Sequence, residues 1–234
     1  MRASRDFADG AKVFSLLNNL ALLNLLTWLS PAFPTGAFAY SQGLEWAVET
    51  GDIKDEASLI VWLDDLLHRG SLWSDVIILR NVCRAAPDAW RGLAIEAEAM
   101  AMTRERRLET LAQGAAFRLA AAPWQCSALD NWGEAALPYP VALGVLASAH
   151  ECNEDDLALG FLQAGIANLV SAAVRLVPLG QAAGLRAQVA LADALLAVAD
   201  ATRNLTLDAC GGACFAADIA SMCHETQYTR LFRS

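Results

Sequence analysis

The side chains in this sequence that could perform chemistry are few and widely separated. The three histidines are His68, His150 and His224. His224 is followed by Glu225, as in the zinc-binding sequence H-E-x-x-H, but Tyr228 occupies the position of the second histidine. A zinc hydrolase site on one helix needs two imidazoles four residues apart, so this chemistry is excluded. The patterns G-x-S-x-G and G-x-G-x-x-G, which mark nucleophilic serines and dinucleotide sites, are also absent.

Composition excludes two further classes of function. The chain of 234 residues has 26 acidic and 17 basic side chains, giving a formal net charge of -9. Binding to nucleic acid without sequence preference needs a basic face that displaces counterions, so we predict no nucleic-acid partner. Lysine occurs only at positions 12 and 54, and neither lysine follows a glycine. The G-x-x-x-x-G-K-[ST] loop that binds nucleotide phosphates is therefore absent.

An acidic pair offers one remaining route to catalysis. Asp64 and Asp65 could hold magnesium for a diphosphate substrate in an all-α enzyme, but position 68 is histidine rather than a third carboxylate. The pair falls on the polar side of an amphipathic helix, which favours a solvated face. We therefore predict that the protein is not an enzyme and holds no cofactor, with an acidic all-α enzyme as an alternative.

Cysteines supply the one cluster with metal-ligand character. Cys210, Cys214, Cys223 and His224 follow the spacing C-x₃-C-x₈-C-H, and thiolates with an imidazole suit zinc or nickel. Cys214 precedes Phe215 in an apolar stretch, which favours small buried residues instead. A metal-binding chaperone using this cluster is the alternative function. Six cysteines in so long a chain are too sparse for a disulfide scaffold, so we predict a reducing, cytoplasmic compartment.

Helix signals dominate the elements that would position these groups. Hydrophobic residues make up 56% of the chain, but no alternating β-branched run bounded by a two-residue turn predicts a strand. We predict an all-α fold, a single domain over residues 1–234 built as a bundle of about eight to ten helices with no significant sheet. Apolar spacing, caps and prolines place helices over residues 55–70, 71–86, 93–122, 140–150, 153–177 and 181–204.

Two apolar segments raise the question of a membrane. Residues 13–29 follow three basic residues, as in a signal peptide, but three asparagines interrupt the run. Leucines at positions 16, 17, 20 and 23 fall on one face of a helix, so we predict a buried or docked helix instead. Residues 160–184 contain Arg175 and Pro178. Because an unpaired arginine is costly in lipid, we predict no membrane span.

The late helices are apolar around much of their circumference. A helix that is apolar on more than one face must be covered on more than one face. We predict a central helix over residues 157–177, with residues 185–198 covering it or packing against a second copy. A homodimer is therefore favoured, and a monomer with a large core is the alternative.

A stiff aromatic loop follows the first helix. Residues 30–45 read SPAFPTGAFAYSQGLE. Two prolines fix the backbone, and Phe33, Phe38 and Tyr40 surround the turn. Such a loop either locks two helices together or presents a shaped surface to another protein.

The tail (residues 221–234) reads SMCHETQYTRLFRS. It combines three large apolar residues at positions i, i+3 and i+4 with two arginines: Tyr228, Leu231, Phe232, Arg230 and Arg233. Aromatic residues and arginine anchor interfaces. The tail could fold back on its own bundle, but we favour a tail that becomes ordered on a partner, where Leu231 and Phe232 fill a pocket and the arginines pair with carboxylates.

Three segments taken together resemble the UreF family of urease accessory proteins. They are SPAFPTGAFAYSQGLE at residues 30–45, AAVRLVPLGQ at residues 172–181 and SMCHETQYTRLFRS in the tail. The resemblance runs in order from about Leu26 to Ser234. Residues 100–122 match the family only loosely, and Cys223 stands where the family has arginine.

This resemblance implies an all-α homodimer that serves as a non-catalytic adaptor in urease maturation. Family members bridge UreD, called UreH in some species, and the GTPase UreG in the complex that inserts nickel into apo-urease. By resemblance, the residues that would dock on UreD are Tyr228, Arg230, Leu231, Phe232 and Arg233. Those that would face UreG are Phe33, Phe38, Tyr40 and Glu45.

Overall fold

The computed structural model of the protein describes residues 18–234. Within those residues every regular element is helical, which confirms the predicted all-α fold. The α-helices are α1 (residues 18–28), α2 (Leu44–Glu49), α3 (Glu56–Arg69), α4 (Ser71–Arg84), α5 (Trp90–Ala99), α6 (Arg104–Ala120), α7 (Ser127–Asp130), α8 (Tyr139–Ala149), α9 (Glu154–Leu176), α10 (Gly180–Ala190), α11 (Ala192–Ala201) and α12 (Phe215–His224).

Side-chain caps set several of the predicted helix starts. Asp55 accepts a hydrogen bond from the Ser58 backbone N–H, and the Asp55 backbone N–H donates in return to the Ser58 hydroxyl, forming a capping box at α3. Asn153 accepts from the backbone N–H groups of Asp155 and Asp156 at the start of α9. Each cap satisfies backbone donors that a helix start leaves without a partner.

Two predicted helices are broken in the structure. The helix predicted over residues 93–122 is two helices, α5 and α6, because Thr103 adopts an extended backbone and its hydroxyl caps α6 by accepting from the Arg106 N–H. The helix predicted over residues 181–204 is divided at Leu191 into α10 and α11. High alanine content favours helix on both sides of a break and so hides the break itself.

Helices α8 and α9 form the centre of the bundle. Every residue from 140 to 147 in α8 is buried, and α8 packs against α4 and α6. Helix α9 packs against α2, α4, α10 and α11, as predicted for the central helix. Helix α6 also lies very close to the segment that precedes α8. A Cβ built on Gly114 of α6 would lie 1.8 Å from the carbonyl oxygen of Leu137, so the glycine allows this close approach.

Helix α9 and the α10–α11 pair are long and apolar enough, by length and composition alone, to cross a membrane. Half of the relevant stretch of α9 is buried inside the bundle, as is usual for the core helix of a globular protein. The absence of a membrane span therefore stays a prediction. The outer helices leave three large apolar side chains exposed: Leu185, Val189 and Leu196.

The predicted first helix lies partly outside the described residues. Its described part, residues 18–28, is a helix docked on the bundle, although Leu20 and Leu23 are exposed. Leu25 and Trp28 face the bundle instead, and Trp28 packs edge-on against Trp124 with ring centroids 5.8 Å apart. A helix with leucines on several faces can dock through more than one of them. The contact between Trp28 and Trp124 favours the face that carries Leu25 and Trp28.

Candidate partner-binding surface

Arg175, near the end of α9, joins the loop at residues 30–45 to the tail. Its guanidinium carbon lies 3.5 Å from the ring centroid of Phe38 and 4.4 Å from that of Phe232. The guanidinium also donates to the Phe38 carbonyl oxygen (3.0 Å) and to the Ser171 carbonyl oxygen (3.1 Å). Three segments that are far apart in sequence therefore meet at one cation–π contact.

The tail folds back on its own chain. The backbone N–H of Arg233 donates to the Ala39 carbonyl oxygen (2.8 Å), and that of Ser41 donates to the Ser234 backbone oxygen (2.7 Å). Phe232 is only 4% exposed. In this conformation Phe232 packs within the fold, so its predicted place in a partner's pocket stays a prediction.

Glu45 anchors the tail from inside the molecule. Its carboxylate accepts hydrogen bonds from the backbone N–H groups of Leu231 (2.6 Å) and Phe232 (2.9 Å). The side chain is buried, so the prediction that Glu45 contacts a partner directly is not met in this conformation. Glu45 instead fixes the path of the segment whose other side chains could reach a partner.

His224 lies between two buried carboxylates. Its Nε2 is 3.1 Å from Glu45, and its Nδ1 is 2.9 Å from Glu105. Each ring nitrogen therefore lies within hydrogen-bonding distance of a buried carboxyl group. Burial raises the pKa of Glu105, and the hydrogen bond to His224 opposes that rise. Arg230 lies 3.5 Å from Glu105 and joins the same group of side chains.

The cysteine cluster does not assemble as a metal site. His224 is enclosed by Glu45 and Glu105, and within residues 18–234 no three His, Cys, Asp or Glu side chains are placed to hold a metal ion. Burial raises the pKa of Cys210 to about 12 and also raises that of Cys214.

The acidic pair on α3 forms ordinary helical ion pairs. Asp65 pairs with Arg69, and Asp64 lies 3.5 Å from the His68 ring, each four residues along the helix. All four side chains are well exposed. The arrangement is that of a solvated helix face, and it favours that interpretation over an acidic active site.

The predicted contact residues divide into exposed and buried groups. Those exposed are Phe38, Tyr228, Arg230, Leu231 and Arg233. Those buried are Phe33, Tyr40, Glu45 and Phe232. The exposed group can meet a partner directly, and the buried group shapes the backbone that presents it.

Sequence reasoning missed an apolar stripe on α12. Phe215, Ile219 and Met222 are each about half or more exposed and stand four and three residues apart, on one helix face. Apolar residues at positions i, i+4 and i+7 are typical of one face of a helix and could have predicted the stripe. The stripe was missed because the neighbouring cysteines suggested a metal-binding loop. The stripe lies on the helix that leads directly into the tail.

Fold and site together define an all-α helical bundle in which the loop at residues 30–45, the end of α9 and the tail meet. A sequence profile of the UreF family matches residues 53–192, and the chain belongs to the UreF family of urease accessory proteins. The resemblance drawn from the loop, the α9 end and the tail is thereby confirmed.

Relatives named urease accessory protein UreF match along nearly the whole chain. The protein of Bradyrhizobium diazoefficiens is 48% identical over 222 residues, which cover 92% of each chain. That of Methylobacterium radiotolerans is 46% identical over 223 residues, covering 92% of this chain and 97% of the relative. That of Rhodopseudomonas palustris strain BisB18 is 45% identical over an alignment of 244 residues, covering both chains completely.

Proposed function

We propose that this protein is a non-catalytic cytoplasmic adaptor that bridges UreD (UreH) and the GTPase UreG in the complex that inserts nickel into apo-urease. Membership of a family of urease accessory proteins supports this role. The observation that carries the proposal is the anchored tail, which holds exposed aromatic, aliphatic and arginine side chains on a buried ionic support. Six free cysteines suit a reducing compartment.

The tail and α12 would form the UreD-binding face. Tyr228 is fully exposed, and Leu231 is 66% exposed. With Arg230 and Arg233 they form a patch of the residue types that dominate binding energy at interfaces. The stripe of Phe215, Ile219 and Met222 on α12 would extend this face with apolar area.

The tail is hydrogen-bonded to its own fold, and we propose that it keeps this path before UreD binds, in place of ordering on binding. A segment held in its bound conformation loses less conformational entropy on association. Glu45 and Arg175 supply the holding contacts. UreD would thus meet a preformed platform rather than a free segment.

The loop at residues 30–45 would form the UreG-facing side. Phe38 is 63% exposed and rests on Arg175, whereas Phe33 and Tyr40 are buried beneath the loop. Changes in UreG that depend on nucleotide can alter its affinity only through differential contacts with such a surface.

A homodimer would place two copies of each face in one assembly. The exposed apolar residues of α10 and α11, including Leu185, Val189 and Leu196, would form the patch that a two-fold dimer buries. The substitution Val189→Glu should yield a monomer of unchanged helicity, measured by light scattering. Leu119→Glu, an equally exposed apolar site on α6, is the matched control. A dimeric Val189→Glu variant would exclude this interface.

The adaptor role is tested by capture of UreD. The double variant Tyr228→Ala/Leu231→Ala removes only exposed side chains, so it should fold and dimerise normally yet lose co-purification with UreD and activation of urease. Val61→Ala, exposed on α3, is the control and should retain both. Full capture of UreD by the double variant would contradict the proposed tail contact. Turnover of a small substrate by the pure protein would contradict the non-catalytic role.

A further inference from the structure

A cavity of about 370 Å³ opens between residues 28–38 and α9, beneath the loop proposed to face UreG. Its volume is within the range of small-ligand sites. Its walls are rich in aromatic side chains: Trp28, Phe33, Phe38, Tyr139 and Phe161. Leu72, Ala164 and Gly165 add small and aliphatic surface.

The cavity also has a charged side. Asp75, Arg106, Glu109 and Gln113 line it, joined through hydrogen bonds. Arg106 pairs with Asp75 and lies 3.2 Å from Glu109. Two carboxyl groups face one guanidinium, so this part of the cavity carries one excess negative charge when both carboxyl groups are ionised.

Two acceptor atoms of side chains that line the cavity receive no hydrogen bond within residues 18–234, and one lining donor, the buried Nε1 of Trp28, has no partner there either. Arg106 binds Oδ2 of Asp75, and Oδ1 of that carboxylate receives no hydrogen bond there. Gln113 is 5% exposed and uses its amide nitrogen on Glu109, while its carbonyl oxygen receives no donor from the same residues. Burial raises the pKa of Asp75; Arg106 opposes that rise and Glu109 adds to it. Free acceptors beside excess negative charge call for a ligand that donates hydrogen bonds and carries positive charge.

We propose that this cavity binds an aliphatic primary ammonium ion, with the ammonium group toward Asp75 and the carbon stem against the aromatic walls. Aromatic faces beside a carboxylate are the chemistry that selects organic cations, because the ring quadrupole and the carboxylate attract the same charge. An anion would be repelled by the excess negative charge. A neutral apolar ligand would leave the acceptors of Asp75 and Gln113 unpaired.

Two sources could supply this ammonium group. The cavity rim is formed by residues 31–38, part of the surface proposed to meet another protein, so a lysine side chain of a partner could enter. A free small amine has the same chemistry. The proposal itself does not depend on the adaptor role, because it concerns binding by this chain alone.

The test uses the full-length protein and n-butylammonium, which reproduces a lysine side chain without its backbone. Saturation-transfer NMR titrations should show binding to the wild type and at least roughly tenfold weaker binding to Asp75→Asn, since a charge-assisted contact is lost. Asp193→Asn, an exposed site on α11, should bind like the wild type. n-Butanol should bind at least roughly tenfold more weakly than n-butylammonium. Equal binding of the alcohol, or undiminished binding to Asp75→Asn, would overturn the proposal.

A second variant guards against a folding defect in Asp75→Asn. Ala164→Phe fills the cavity and leaves the Asp75–Arg106 pair in place, so it should also abolish binding of n-butylammonium. Binding retained by a folded Ala164→Phe variant would place the ligand elsewhere and overturn the proposal. Titration with Nα-acetyl-lysine N-methylamide then separates the sources. Binding equal to that of n-butylammonium supports a partner's lysine, and binding of the free amine alone supports a small amine.

Discussion

The Arg175 guanidinium carbon lies 3.5 Å from the centre of the Phe38 ring, and the same guanidinium donates to the Phe38 carbonyl oxygen. The ring and the backbone of one loop residue are thus both held by α9. Phe232 packs against the same guanidinium at 4.4 Å. A substitution of Phe38 or Phe232 should therefore change the packing of the other aromatic side chain against Arg175.

Arg175→Ala should loosen the tail without unfolding the bundle. Loss of the two cation–π contacts should cost about 1–2 kcal/mol of unfolding free energy. Hydrogen exchange at the Leu231 and Phe232 amides should accelerate, because the tail loses one of its holding contacts. Arg186→Ala, which removes an exposed pair with Glu56, should change stability by less than about 1 kcal/mol and leave the tail amides unaffected. Unchanged exchange in Arg175→Ala would contradict this link.

His224→Phe should be strongly destabilising. It keeps a buried ring but removes both ring nitrogens, so the buried carboxyl groups of Glu45 and Glu105 each lose a hydrogen-bond partner. Arg230 still faces Glu105, and the tail amides still face Glu45. The loss of two buried hydrogen bonds to carboxyl groups should cost about 3 kcal/mol, which urea unfolding would measure. His68→Gln on the surface of α3 should cost less than about 0.5 kcal/mol. A His224→Phe variant as stable as the wild type would show that the two imidazole hydrogen bonds contribute little.

Acid should weaken the junction of α4 with α9. Burial alone raises the pKa of Glu154, but hydrogen bonds from Arg84 and Arg80 outweigh it and the net pKa is lowered. Hydrogen bonding from Arg80 likewise lowers the pKa of Asp155. A carboxylate with a lowered pKa stabilises the fold above its unfolded pKa of about 4, and that contribution is lost as the pH falls through the folded pKa.

The variant Glu154→Gln isolates this contribution to acid stability. Between about pH 6 and pH 3 its unfolding free energy should fall less steeply than that of the wild type, because one of the titrating carboxylates is gone. Asp193→Asn, exposed on α11 outside this network, should keep the wild-type slope. Parallel curves for Glu154→Gln and the wild type would exclude the arginine pairing as a source of acid sensitivity.

Gly114→Ala should destabilise the contact between α6 and the segment before α8. The added Cβ would lie 1.8 Å from the Leu137 carbonyl oxygen, so backbone must move at a cost of about 1–3 kcal/mol or more. A Cβ added to Gly92 of α5 would meet nothing outside its own helix within 4 Å, so Gly92→Ala should stabilise by about 0.5–1 kcal/mol. Thermal unfolding of the two variants should therefore shift in opposite directions, and shifts of the same sign would refute this reasoning.

Helices could be predicted from the sequence because their signals are local. Asp55, Asn153 and Gly70 lie within a few residues of the helix ends they mark. The break at Thr103 was missed because alanine and arginine on both sides favour helix, and the cap that breaks it is a single hydroxyl.

The contacts of the candidate site could not be predicted in the same way. Glu45 and His224 are 179 residues apart, and the sequence around each residue does not indicate that the two side chains are in contact. Glu45 was predicted to be a surface contact only by resemblance to the family, as part of the region expected to face UreG. Its burial depends on the tail returning to α2, which only the complete fold determines.

The carboxylate of Glu45 recognises main-chain amides in the tail, and every amino acid except proline supplies such an amide. Leu231, whose side chain is exposed, can thus be substituted without loss of the hydrogen bond between its backbone N–H and Glu45. Substitution at this position could therefore change which partner the tail binds, except that proline would remove the N–H donor.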